Sequence, residues 1–194
     1  MSLESKRITK DYYDISNVKI AFLSTYEDRG RRLLKTLLEH SEDESVDFFA
    51  VYEDGFFVGY YCLILEGNFA YIQSCNISHM FDFTSYYKKI LRHISEKYAD
   101  YQVVISFPAT FEEPEYPHKE DMEDDQIWAQ YTELTDTQKV INFFLNSGFY
   151  KTDFYNTCNG ENFEIFCNRP DFQSYGASNA FSKIFKLIVK LDVE

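Results

Sequence analysis

Positive charge is scarce in this chain. Its 194 residues carry 19 Lys and Arg against 32 Asp and Glu, a formal net charge of −13. A nucleic-acid binder replaces phosphate counterions with a basic footprint, so this balance argues against DNA and RNA as partners. The same repulsion argues against an anionic membrane surface. No apolar run approaches the ~20 residues that span a bilayer. Met1 to Arg7 lacks the apolar stretch of a signal peptide, and the cytoplasm is the expected location.

Metal-ligand spacing is missing too. Cys62, Cys75, Cys158 and Cys167 show no zinc-type pair. Each falls in or beside a predicted strand and reads as a buried free thiol. His40, His79, His93 and His118 are scattered without a His-x-x-x-His pattern, so no metal site is expected. Internal repeats are absent. Aromatic residues are abundant instead: 19 Phe and 16 Tyr within a 45% hydrophobic composition argue against disorder. The length suits one domain, 1–194, with a full core.

Hydrophobic periodicity orders the elements. Ile15, Val18 and Phe22 begin a helical segment after Asp14, and Leu33, Leu34, Leu37 and Leu38 stripe a second helix after Gly30. Three strands follow: Val46–Tyr52, Phe56–Leu65 and Phe69–Asn76. Asp54-Gly55 is suited to the positive φ angles of a type I′ hairpin turn. From Thr84 to Tyr98 the apolar residues Tyr87, Ile90, Leu91, Ile94 and Tyr98 share one helical face. Tyr101–Phe107 is a short buried strand, and this strand-helix-strand crossover makes it parallel to Phe69–Asn76. An acidic loop runs from Glu112 to Asp125. A helix begins near Thr135 and ends at Gly148, the strands Phe149–Tyr155 and Asn162–Cys167 form a hairpin across Asn159-Gly160, and residues 177–190 form a C-terminal helix. The fold class is α/β (α+β), a mixed and mostly antiparallel sheet flanked by helices.

That order, together with Phe49–Tyr60, Val140–Phe149 and Gly160–Phe166, resembles the GNAT (GCN5-related N-acetyltransferase) superfamily over roughly residues 48–167. The resemblance implies splayed central strands with acetyl-CoA held between the fourth strand and the next helix. Cys75, Asn76 and Ile77 then lie at the splay, and Asp82, Phe83, Thr84 and Ser85 at the pyrophosphate end. The family form of that loop, [Q/R]-x-x-G-x-[G/A], needs glycine because a Cβ holds the phosphate away from the first-turn amides. No glycine occurs between Asn76 and Leu91. Asp82 stands in the Gln/Arg slot, Ser85 in the glycine position and Tyr87 in the last small position. Helical spacing turns Tyr87 toward the core. The Asp82 carboxylate is expected to take the place of the phosphate as the helix cap, with Thr84 as the competing cap.

The acid that the resemblance implies is a tyrosine in the later helix, and the matching residue here is Phe144. Glu112 and Glu113, just past the fifth strand, are candidate bases by position; they read equally as solvated loop carboxylates. The acidic loop can recruit a cationic acceptor or serve as a connection. Arg29, Arg31 and Arg32 read as a surface charge cluster or a carboxylate site. The implied activity is acetyl transfer from acetyl-CoA to a small-molecule or peptide amine. The alternative is a catalytically inactive GNAT-like module that binds a ligand or protein, and exposed aromatics allow a homodimer.

Overall fold

The computed structural model describes residues 2–9, 43–78, 80–108, 137–158 and 161–193. The strands β1 (Glu4–Arg7), β2 (Val46–Glu53), β3 (Phe56–Glu66) and β4 (Phe69–Ile77) precede the helix α1 (Phe83–Lys97). There follow β5 (Gln102–Pro108), α2 (Thr137–Asn146), β6 (Tyr150–Cys158), β7 (Glu161–Cys167) and α3 (Ala177–Val193). All seven strands join one sheet in the order β1-β2-β3-β4-β5-β7-β6. The β4–β5 pair is parallel and every other pair antiparallel.

Local chemistry accounts for these elements. Asp54 and Gly55 take φ of 51° and 83°, so the two-residue turn between β2 and β3 has both central residues at positive φ, as a type I′ hairpin requires. The α1 helix buries Ile90, Leu91 and Ile94 and leaves Arg92 and Glu96 in water, which matches its apolar spacing. After α2, Gly148 adopts φ of 85° and the Phe149 amide reaches back to the Phe144 carbonyl at 2.9 Å. This is the left-handed C-terminal cap expected there.

Two layers cover the sheet. On one face α1 and the end of α2 pack Leu91, Ile94, Phe143 and Phe144 against Tyr61, Leu63, Ile72 and Phe166. On the other, α3 sets Ala177, Phe181 and Ile184 against Phe69, Tyr71, Val104 and Ile165. The parallel pairing of β4 with β5 follows the crossover argument. The strand β1 is an addition to the sequence reading: its residues are mostly exposed and polar, and it is held by backbone pairing to β2. The helices expected after Asp14 and Gly30, the arginines at 29, 31 and 32, the acidic segment with Glu112 and Glu113, and the Asn159-Gly160 turn lie outside the described residues.

Candidate functional site

The ladder between β4 and β5 is short. It pairs Phe69 with Gln102, Ala70 with Val103 and Tyr71 with Val104, and stops. Beyond that point β4 continues along β3 to Ile77, while β5 continues along β7 to Pro108. The strands therefore part between Ile72 and Ile105. A bulge in β4 coincides with the parting: Cys62 faces Ser74 and Leu63 faces Ile72, which leaves Gln73 unopposed. An extra residue bends and twists its strand, here at the point where β4 leaves β5. Gly59 serves the same region. A Cβ there would sit 2.1 Å from the Asn76 carbonyl oxygen, so only a bare backbone lets β3 approach β4 this closely.

The parting opens a cavity of about 520 Å³, within the range of small-ligand sites. Ile72 and Cys75 of β4, Ile105 and Phe107 of β5, Phe83 and Tyr87 of α1, and Phe143 and Phe144 of α2 line it. No lining residue among those described carries a formal charge. Burial pushes the Cys75 thiol and the Tyr87 hydroxyl well up, so both stay protonated. A thiol desolvated in this way is a poor nucleophile.

Polar groups in the wall fall into two sets. The Tyr71 hydroxyl and Ser106 Oγ hydrogen-bond at 2.5 Å, bridging β4 to β5 just past the end of their ladder. The Tyr60 hydroxyl is hydrogen-bonded to the Asn76 side chain. Gln73 Oε1 and Ser74 Oγ, by contrast, are buried without a partner among the described residues, an arrangement that folded proteins keep rare. No hydrogen bond of the Tyr87 hydroxyl occurs among the described residues; its ring lies 5.2 Å from Phe83 and 5.7 Å from Phe143. Tyr87 thus borders both core and cleft, where spacing alone had turned it to the core. Phe144 is 3% exposed and stacked on Phe166 at 4.6 Å, so α2 brings no hydroxyl to this wall.

Of the residues singled out in the sequence, Cys75, Asn76 and Phe83 line the cavity; Ile77, Asp82, Thr84 and Ser85 do not. Asp82 is the N-cap of α1 and its Oδ1 accepts from the Ser85 amide at 2.8 Å. Thr84, the rival cap, lies within the first turn. Hydrogen bonds from the Ser85 side chain and backbone hold the Asp82 carboxyl below its usual range, with a smaller contribution from Lys88. The Ile77 amide is also engaged, donating to Asn76 Oδ1 at 2.8 Å. The sequence reading missed Tyr60, Tyr71, Ile105, Ser106 and Phe107. Their signal was the two-residue alternation along β3, β4 and β5, which assigns faces but does not reveal where two strands separate.

No family model matches the chain, and no curated protein does. Solved structures do match. A GNAT-family protein from Bacteroides thetaiotaomicron is 14% identical with a TM-score of 0.65, over 98% of this chain and 99% of that one. The aminoglycoside 6'-N-acetyltransferase from Enterococcus faecium is 7% identical with a TM-score of 0.58, over 88% and 99% of the two chains. An acetyltransferase from Bacillus subtilis, solved in complex with CoA, is 9% identical with a TM-score of 0.50, over 86% and 97%. The chain has the fold of the GNAT acetyltransferases.

Proposed function

We propose that this protein is an acyl-CoA-type N-acyltransferase whose acyl thioester lies between the splayed ends of β4 and β5 and whose acceptor is an amine. The observation that carries the reading is the parting of the two strands after Tyr71 and Val104, beyond which β4 has no ladder partner on that side among the described residues, beside an uncharged, largely aromatic cavity. The largely apolar walls suit a thiol-bearing arm, and Gln73 Oε1, without a partner among the described residues, suits an amide N–H on it. Such a thioester supplies an electrophilic carbonyl and a thiol leaving group. The chain contributes orientation, exclusion of water and, from Tyr87, a proton. Tyr87 is the tyrosine on the cleft wall whose hydroxyl is uncommitted among the described residues, and burial keeps it protonated. It takes the place that Phe144 leaves empty. Glu112 and Glu113 remain candidate bases. The E. faecium neighbour, by its name, acylates an aminoglycoside amine; a small amine is the acceptor class proposed here.

The test is thiol release from acetyl-CoA with a panel of amines, run beside calorimetric titration. Amine-dependent release is expected, with Tyr87→Phe lowering turnover ~10²–10⁴-fold, the usual range for a positioned proton donor, at unchanged KM. The Tyr87 hydroxyl has no hydrogen bond to lose among the described residues, so melting should not shift. A second reading is favoured by Phe144: with only Phe143 and Phe144 of α2 on the cleft wall, that helix offers no hydroxyl there, and the cleft binds its ligand and transfers nothing. Saturable binding without thiol release for any amine is the result that selects it.

A further inference from the structure

The diphosphate of a nucleotide thioester does not fit the structure at the place where this fold receives it. Such a group needs unpaired first-turn amides, the positive helix end and close backbone approach. Here the Ser85 amide donates to Asp82 Oδ1 at 2.8 Å and the Tyr86 amide to the Asp82 carbonyl at 3.1 Å. Upstream, the Ser78 amide donates to the Val58 carbonyl at 2.8 Å, and the Ile77 amide to Asn76 Oδ1 at 2.8 Å. The Ser85, Ser78 and Ile77 amides are thus committed to the chain's own oxygens. The Tyr86 bond is the helix's own first rung, while the Phe83 and Thr84 amides keep no partner among the described residues. A fixed carboxylate stands at the helix start, kept ionised by its hydrogen bonds. Lys88 acts on it only weakly, its amine lying 5.3 Å from the centre of the Phe143 ring. Tyr87 carries bulk at the last small position of the family's turn, with its ring 5.2 Å from that of Phe83. The inner cleft differs: it is open, uncharged and lined largely by aromatic and apolar groups with a few neutral polar ones.

Resting on the acyltransferase reading, we infer that the cleft recognises its acyl donor by the pantetheine arm alone. The diphosphate and nucleotide of CoA add no affinity, and the donor class is a pantetheine-type thioester whether or not a nucleotide is attached. The carboxylate of Asp82 occupies the anion position permanently, as an internal substitute for phosphate.

The experiment titrates S-acetylpantetheine and acetyl-CoA into the full-length wild-type protein, Asp82→Ala and Asp82→Asn, with inorganic pyrophosphate as competitor. Asparagine keeps the cap and removes the charge, so a folded neutral variant is secured even where alanine loosens the helix. The wild type is expected to bind the two thioesters within about threefold of each other and to ignore pyrophosphate. Asp82→Asn should tighten acetyl-CoA about tenfold, from relieved charge repulsion, and leave S-acetylpantetheine unchanged. Pyrophosphate should then compete with acetyl-CoA. Acetyl-CoA binding the wild type more than about thirtyfold tighter than S-acetylpantetheine, roughly the effect of one charge-assisted hydrogen bond, overturns the inference and leaves the acyltransferase reading standing. Failure of both thioesters to bind at millimolar concentration overturns both.

Discussion

From Phe69 to Ile72 the side chains of β4 are all buried, and through Tyr71 the strand is laddered to β5; from Gln73 to Asn76 it is unzipped and half-buried. One strand, nine residues long, is core at one end and cleft wall at the other. At the laddered end, Phe69 is wedged against Phe172 and Phe181, and Val103 and Val104 are fully buried. At the open end, Gln73 and Ser74 keep buried polar atoms without partners among the described residues. Stability and accessibility are divided along the strand, and the Gln73 bulge is the dividing point. A site can stay open on a rigid strand because the first few residues hold both strands in register.

The comparison breaks most severely at the laddered end. Phe69→Ala is expected to cost about 3–5 kcal/mol in denaturant unfolding, the range for emptying a buried aromatic site. Ligand affinity per folded molecule should stay unchanged. A loss of affinity in the remaining folded protein would show that the two ends are not separable.

Gly59→Ala strikes the other end. Its Cβ meets backbone oxygen rather than a yielding side chain, so Asn76 must move. Overpacking of this kind costs about 1–3 kcal/mol. Since Asn76 and Cys75 line the cleft, thioester affinity should fall with stability, reversing the Phe69→Ala pattern. Unfolding and calorimetry on the same samples separate the two outcomes.

Smaller effects sharpen the picture at the mouth. Asp82 is exposed, so Asp82→Ala should cost about 0.5–1 kcal/mol, the lower part of the capping range after solvent screening. Asp82→Asn should be near neutral by thermal melting. The smallest expected effect concerns pH. Glu53, at the end of β2, accepts from the Tyr86 hydroxyl at 2.7 Å and from Lys89 Nζ at 3.0 Å, tying α1 to the sheet. These hydrogen bonds lower its pKa. A depressed carboxyl pKa gives stability that is fully present above the unfolded value of about 4.3 and lost as pH falls through the folded value. Melting profiles of wild type and Tyr86→Phe should therefore differ at neutral pH and converge in acid. A gap that widens in acid would contradict the assignment.

How far the sequence reached is visible in particular residues. Asp54-Gly55 predicted its turn because few dipeptides tolerate two positive φ angles, and the apolar stripe of α1 predicted its buried face. Asp82 was readable as a cap because its carboxylate stands three residues before the Ser85 amide. The strand β1 was not readable: Ser5, Lys6 and Arg7 have no apolar signal and are ordered by pairing to β2. Nor was the bulge. Phe69–Asn76 reads as one continuous strand, and the register shift at Gln73 depends on how β3 meets it across the ladder. Tyr87 shows the same limit. Helical spacing gives its side of the helix, whereas its place on the cleft wall depends on the parting of two strands elsewhere.

The most direct test is residue-resolved amide hydrogen exchange with and without saturating acetyl-CoA. The account predicts new protection at those amides of residues 72–76 of β4 and 105–107 of β5 that face the parting, with Phe69–Tyr71 and Gln102–Val104 already slow and unchanged. Protection confined to other parts of the chain, with these amides exchanging as before, would contradict the placement of the ligand between the two strands.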